Sequence, residues 1–253
     1  MRAHLFTDAD NTLWDTDRVF AAAQLDLLRQ IERLTDREAP QAEDRGLAFL
    51  RDLDQKIAAR HPDHLRYPPA LLAQGLAMVL RGFDVEEALK LIFGSEARPD
   101  DVFAAAQSRF LDAIQSLPPL RTGVRDGLIA ISKARVPITI VTEEKAERCR
   151  KSVSEHRLGH LIDDVVSVPK TTAAYLDLKR RARTGSCFMV GDQVDRDIVA
   201  AAAAGFSTFY FPGGFSPYWN ADLDIGKAKR IDRYDAIVPD IIAVNGQMSA
   251  SVR

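Results

Sequence analysis

The chain has only two cysteines in 253 residues, Cys149 and Cys187. They are too few for a disulfide framework and too isolated for a zinc site. They read as small buried hydrophobes, in a reducing setting. No long uncharged apolar run is present, which excludes a membrane-spanning helix. A net charge of −2 supplies no basic field for nucleic acid. Internal repeats and low-complexity tracts are also lacking. Met1-Arg2-Ala3-His4 runs directly into an apolar stretch, so no signal peptide and a cytoplasmic location are expected.

What is present is concentrated in Leu5–Trp14. An apolar run ends abruptly in Asp8 and Asp10, separated by one residue and followed by Thr12. If the run is a buried strand, its carboxyl end delivers both acids to the rim of a sheet, where open α/β folds bind ligands. Two carboxylates crowded there are costly unless a cation or a proton transfer requires them. Metal-assisted chemistry on an anionic substrate, most simply phosphate, follows.

From Asp15 to Leu120 the pattern is helical, with Val19, Phe20, Ala23, Leu27, Leu28, Ile31 and Leu34 at helical spacing. Asp15 or Thr16 is the expected cap of this helix. A second helix is expected over about Glu43–Ala59, before a proline-broken stretch at Arg60–Pro69, and more helices over Leu71–Leu80, Val85–Ile92 and Asp101–Leu117. The block is too long for a loop and is expected to be a domain with its own small core. Beyond Pro118 the rhythm alternates. Strands are expected at Pro137–Val141, Asp164–Val168, Cys187–Val190 and Thr208–Phe211. Helices are expected at Val124–Ala134, Glu144–His156, Thr172–Ala182 and Ile198–Ala204, with a short element near Ala236–Val244 and a loose end at Gln247–Arg253. Alternation of this kind implies a doubly wound, Rossmann-like parallel sheet. The expected division is an α/β core of residues 1–14 and 121–253 around an all-helical insertion, 15–120.

Four features fall at strand ends and can converge on one edge: Asp8/Asp10, Thr142, Lys170 and Gly191–Asp197. In this order they resemble the haloacid dehalogenase superfamily, most of whose members are phosphatases. The family pattern Asp-x-Asp-x-Thr is matched by Asp8–Thr12, the later Ser or Thr by Thr142, the Lys by Lys170, and the closing acidic motif by Gly191-Asp192 and Asp197. The resemblance implies that Asp8 attacks phosphorus to form an aspartyl-phosphate and that Asp10 protonates the leaving alkoxide, then activates water. It implies that Thr142 and the backbone N–H after it, at a helix N-terminus, bind phosphate oxygens, and that Lys170 adds positive charge there. It also implies a Mg²⁺ ion on Asp8, the Asp10 backbone carbonyl and Asp192, with Asp197 holding metal-bound water or orienting Lys170. Asp195 is a weaker candidate for that outer role. The helical insertion resembles the cap domains of the superfamily. Dehalogenase members lack an acid at the position of Asp10, so a phosphatase of small phosphorylated metabolites is expected.

Glu143 and Glu144 depart from the small or polar residues that the family often has after its Ser or Thr. They are expected to point away from phosphate or to contact a cationic part of the substrate. Thr171 stands where the family often has Pro, which leaves Lys179 and Lys145 as alternatives to Lys170. Plain structural roles compete as well: Asp192 as a helix cap, and Asp195 and Asp197 as first-turn acids; for Thr142 a cap role is expected alongside phosphate binding. In the insertion, Arg60–Arg66 with His61 and His64 could meet an anion, as could Arg18. Phe20, Phe49 and Phe83 read as core, and Phe215–Trp219 as a candidate pocket wall. Phosphoryl transfer to an acceptor, as in a mutase, and a non-catalytic phosphate-binding regulator are the alternatives to hydrolysis. A receiver-type signalling domain is smaller and has no such insertion.

Overall fold

β-branched and apolar runs punctuated by helices form one parallel sheet. The computed structural model describes residues 3–40, 44, 46–62, 67–94, 101–183, 185–214 and 223–247. The chain divides into two units, Met1–Asp17 with Leu117–Arg253, and Arg18–Ser116. Among the described residues, no helix is long and apolar enough to cross a membrane.

The helical unit carries α1 (Thr16–Thr35, entered from the first unit), α2 (Leu47–Arg60), α3 (Pro69–Leu80), α4 (Val85–Ile92) and α5 (Ala104–Ala113). Leu28, Ile31, Leu53, Ile57, Leu76 and Ile92 bury one another in a core of their own. Pro69 opens α3 at its first turn, where a missing N–H costs nothing. Asp84 caps α4 and Glu87 reciprocates, a complete capping box. Phe49 packs on this core. Phe20 and Phe83, expected inside, are 38 % and 44 % exposed.

In the first unit, β1 (Ala3–Thr7), β2 (Ile138–Thr142), β3 (Asp164–Ser167), β4 (Ser186–Gly191), β5 (Ser207–Tyr210) and β6 (Lys229–Arg230) lie in the order β3-β2-β1-β4-β5-β6. All pairings are parallel; Leu5 stands between Ile138 and Phe188. The helices here are α6 (Val124–Lys133), α7 (Ala146–Glu155), α8 (Thr172–Ala182), α9 (Ala200–Ala203) and α10 (Val238–Gln247). Alternate strand residues serve two cores. Leu5, Ile138, Ile140 and Val190 pack with α6, α7 and α10, whereas Phe6, Val141 and Met189 pack with α8 and α9. Burial on both faces is why these strands are nearly continuous apolar runs. Cys149 and Cys187 form no disulfide and are buried in these cores, and burial pushes the Cys149 thiol up to about 12. From β1 the chain winds outward to β3, then returns to β4 on the other flank of β1. That reversal opens a crevice beyond the carboxyl ends of β1 and β4.

The structure alters several expected boundaries. α2 begins at Leu47 and α7 at Ala146. The single helix expected over Ile198–Ala204 is instead a π-turn, Val194–Val199, leading into the four-residue α9. β6, only two exposed residues long, adds an edge that the sequence did not announce. The end at 248–253 lies outside the described residues.

Candidate active site

β1 ends at Thr7, and the Asp8 N–H still donates to Val190 O (2.9 Å), so Asp8 enters the crevice in register with β4. The chain then curls tightly, with Leu13 N–H on Ala9 O at 2.8 Å. The curl passes through Asn11 at φ 55°, a left-handed conformation that asparagine tolerates. Thr12, fully buried, donates its hydroxyl to Asp8 Oδ2 (2.9 Å). The Asp10 carboxylate points elsewhere, accepting from Trp14 Nε1 (2.9 Å) and the Thr16 hydroxyl (2.8 Å). Thr16 is therefore not a cap; Asn11 Oδ1 takes the Asp17 N–H instead (2.7 Å).

β4 delivers Asp192 beside Asp8. The π-turn then brings Asp197 back, its Oδ2 accepting the Gln193 N–H at 3.1 Å. Gly191 makes this possible, because a Cβ there would collide with the Asp197 side chain. Asp8, Asp192 and Asp197 each offer a carboxylate oxygen within 4.8 Å of the others. Lys170, itself buried, pairs with Asp8 and lies 2.6 Å from Asp197 Oδ1.

Burial pushes Asp8 up to about 7; Lys170 pulls it down, and Asp197 and Asp10 push it further up. Asp192 is driven well above the carboxylate range by burial, then by Asp8 and Asp197. Burial alone would lower Lys170, but Asp197 and Asp8 outweigh it and hold the ammonium well above its usual value. Three carboxylates facing one lysine leave a surplus of negative charge. Among the described residues, Asp192 Oδ1 is buried without a hydrogen-bond partner. Such an oxygen-rich, under-neutralised set fits a hard divalent cation. The Asp10 carboxylate is not a member of this set.

Thr142 ends β2 and is buried. Its hydroxyl accepts the Glu144 N–H (3.0 Å) in a local turn, while α7 starts later, after Lys145; Thr142 is thus not a helix cap. Glu143 pairs with a cation of the protein itself, Arg196 (2.6 Å), and accepts the Lys170 backbone N–H (3.2 Å). Thr171 has its own reason to replace Pro, since its hydroxyl caps α8 at Ala174 N (3.3 Å). Lys179 is engaged elsewhere, with Ala204 O and Gly205 O. Lys145 and Asp195 are exposed. In the helical unit, Arg60 pairs with Glu86, His61 lies 6.2 Å from the Tyr67 ring, and Arg18 is exposed. His64, Arg66 and Phe215–Trp219 lie outside the described residues.

Sequence reasoning missed Arg121. Its guanidinium donates to the carbonyls of Asn11, Phe211 (3.1 Å) and Pro212 (2.7 Å), and stacks 3.5 Å over the Phe211 ring. It ties the curl after Asp10 to the segment after β5, where a Cβ at Gly213 would sit 3.0 Å from Asp192 Oδ2. Arg121→Ala strips a charge-assisted donor from three carbonyls and is expected to destabilise the fold by roughly 2–3 kcal/mol. Arg121→Lys should recover only part of this, because an ammonium cannot span the fork. Chemical denaturation of the three proteins measures it; an unchanged midpoint for Arg121→Ala refutes the clamp.

A family model described as haloacid dehalogenase-like hydrolase matches residues 3–205. No curated protein matches the chain. Among solved structures, a haloacid dehalogenase-like family hydrolase from Xanthomonas campestris is 17 % identical, with a TM-score of 0.62 over 99 % of this chain and 98 % of that one. A putative hydrolase of the same family from Bacillus subtilis, solved bound to magnesium, is 16 % identical with a TM-score of 0.58 over 95 % and 98 %. A putative beta-phosphoglucomutase from Thermotoga maritima is 16 % identical with a TM-score of 0.59 over 96 % and 100 %. At these identities the likeness is one of fold.

Proposed function

The chain belongs to the haloacid dehalogenase-like hydrolase family, and from that premise we propose that it is a Mg²⁺-dependent phosphatase of small phosphorylated metabolites. The observation that carries this reading is the different placement of the Asp8 and Asp10 carboxylates. Asp8 sits in the buried, cation-seeking cluster, while Asp10, two residues on, is turned to Trp14 and Thr16. A phosphate ester needs both a nucleophile and an acid for its alkoxide, whereas a departing halide needs no proton.

In this reading Asp8 attacks phosphorus in line, the ester oxygen leaves with the electron pair, and Asp10 gives it a proton. Asp10 then takes a proton from the water that opens the aspartyl-phosphate, returning Asp8 as a carboxylate and releasing phosphate. Thr12 orients the Asp8 carboxylate throughout. Lys170 holds positive charge beside it, and Thr142 supplies a hydroxyl at the neighbouring strand end. Asp8, Asp192, the Asp10 carbonyl and Asp197, directly or through water, would hold Mg²⁺, whose chemistry is to neutralise charge between two meeting anions. The helical unit is proposed as the cap domain of the family. Two buried cysteines outside any disulfide agree with a cytoplasmic setting.

A panel of phosphomonoesters, run with Mg²⁺ or with chelator and alongside a 2-haloacid, tests the assignment. Phosphate release that chelator abolishes is the expected result. Halide release without phosphate release overturns it. An added acceptor alcohol in the same panel separates hydrolysis from transfer.

A further inference from the structure

We propose that Glu143 is a positioning residue for Lys170, acting through a closed ring that also contains Arg196 and Asp197; this rests on the phosphatase reading above. One carboxylate serves two segments at once. Glu143 Oε1 accepts the backbone N–H of Lys170 at 3.2 Å, and Oε2 takes Arg196 Nη1 at 2.6 Å. Arg196 is joined by a peptide bond to Asp197, and Asp197 Oδ1 lies 2.6 Å from Lys170 Nζ. The circuit Glu143–Lys170–Asp197–Arg196 therefore closes on itself. It fastens the end of β2, the loop before α8 and the π-turn around the ammonium that pairs with Asp8.

The ring also explains how a glutamate can sit next to Thr142 at an anion site. Its four side chains carry two positive and two negative charges, so the ring is neutral. Glu143 is 27 % exposed and Arg196 47 %, so the pair alone contributes little to stability. Its value lies in geometry: it fixes the backbone from which Lys170 reaches inward. Burial disfavours the Glu143 carboxylate, but the Lys170 N–H and Arg196 hold its pKa below the usual value, so it stays charged.

Positioning and mere folding have different signatures here. Glu143→Ala frees the Lys170 backbone and removes a negative charge. Turnover is expected to fall on the order of 10- to 100-fold, the scale of a small misplacement, while inorganic phosphate binds no more weakly. Glu143→Gln keeps the size and the Oε1 acceptor and should retain turnover within about threefold. Arg196→Ala leaves Glu143 uncompensated, so phosphate should bind about threefold more weakly. Adding Glu143→Gln to Arg196→Ala should restore that binding.

The experiment measures kcat and KM on the best substrate of the panel for the full-length proteins. Phosphate binding is measured by calorimetry with Mg²⁺ present, and melting temperatures check folding. Wild-type turnover in Glu143→Ala, or an Arg196→Ala loss that Glu143→Gln does not reverse, overturns the ring. If the wild type hydrolyses no phosphoester, the phosphatase reading fails by itself, and the calorimetric cycle still decides whether the ring shapes the anion site.

Discussion

Asp8→Asn is expected to lower turnover by at least about 10⁴-fold, the scale seen when a nucleophile is removed, with no loss of melting temperature at neutral pH. The substitution is nearly isosteric, and an amide still offers an oxygen to Thr12 or Lys170. Two electrostatic effects oppose each other: the Lys170 pairing weakens, and the repulsion from Asp192 and Asp197 is relieved. The pH dependence gives the substitution its own mark. Burial first, with Asp197 and Asp10 adding to it against the pull of Lys170, raises Asp8 from 3.8 to about 7. The native state therefore binds this proton more tightly than the unfolded chain. The resulting stabilisation is complete below 3.8 and is lost as pH rises through about 7. Asp8→Asn lacks this contribution, so its melting temperature, recorded with chelator, should depend less steeply on pH across that window. Turnover above roughly one part in a hundred of wild type would remove Asp8 from the nucleophile's role.

The ends of the strands were legible because a parallel sheet collects them on one edge. Asp8, Lys170 and the Asp192–Asp197 segment lie far apart in sequence, yet each of the three follows a short apolar run whose direction is fixed by strand–helix alternation. What stayed hidden had no signature in residue type or spacing. All three hydrogen-bond partners of Arg121 are backbone carbonyls, which any sequence supplies. The π-turn spans only six residues, too few for its period to separate from that of an α-helix. β6 is a Lys-Arg pair with no apolar alternation. The cap of α1 comes from Asn11, six residues before the amide it serves, across a left-handed turn that local capping patterns do not describe. Glu143 stood out as a departure from the family pattern, but its partner Arg196 is 53 positions away, and only the fold brings them together.

Mg²⁺ should stabilise the protein strongly at pH 8 and little at pH 5. With Asp8 raised to about 7 and Asp192 held well above its ordinary range, the cluster retains protons at pH 5, and protonated carboxyl groups are poor ligands. At pH 8 Asp8 is ionised and available to the cation. Repulsion among Asp8, Asp192 and Asp197, offset only by Lys170, is what the ion relieves. At about one hundred times the dissociation constant, linkage contributes roughly 2.7 kcal/mol. For a chain of this length that is a rise in melting temperature of about 5–10 °C. Asp192→Asn removes a buried carboxylate from the set and should abolish most of the Mg²⁺-dependent rise while raising the melting temperature of the metal-free protein at pH 8, because a repelled charge is gone. Thermal melts of wild type and Asp192→Asn, with Mg²⁺ or chelator at both pH values, measure all of this. An equal Mg²⁺ shift at pH 5 and pH 8, or one that survives Asp192→Asn intact, means that the ion binds outside the crevice between β1 and β4.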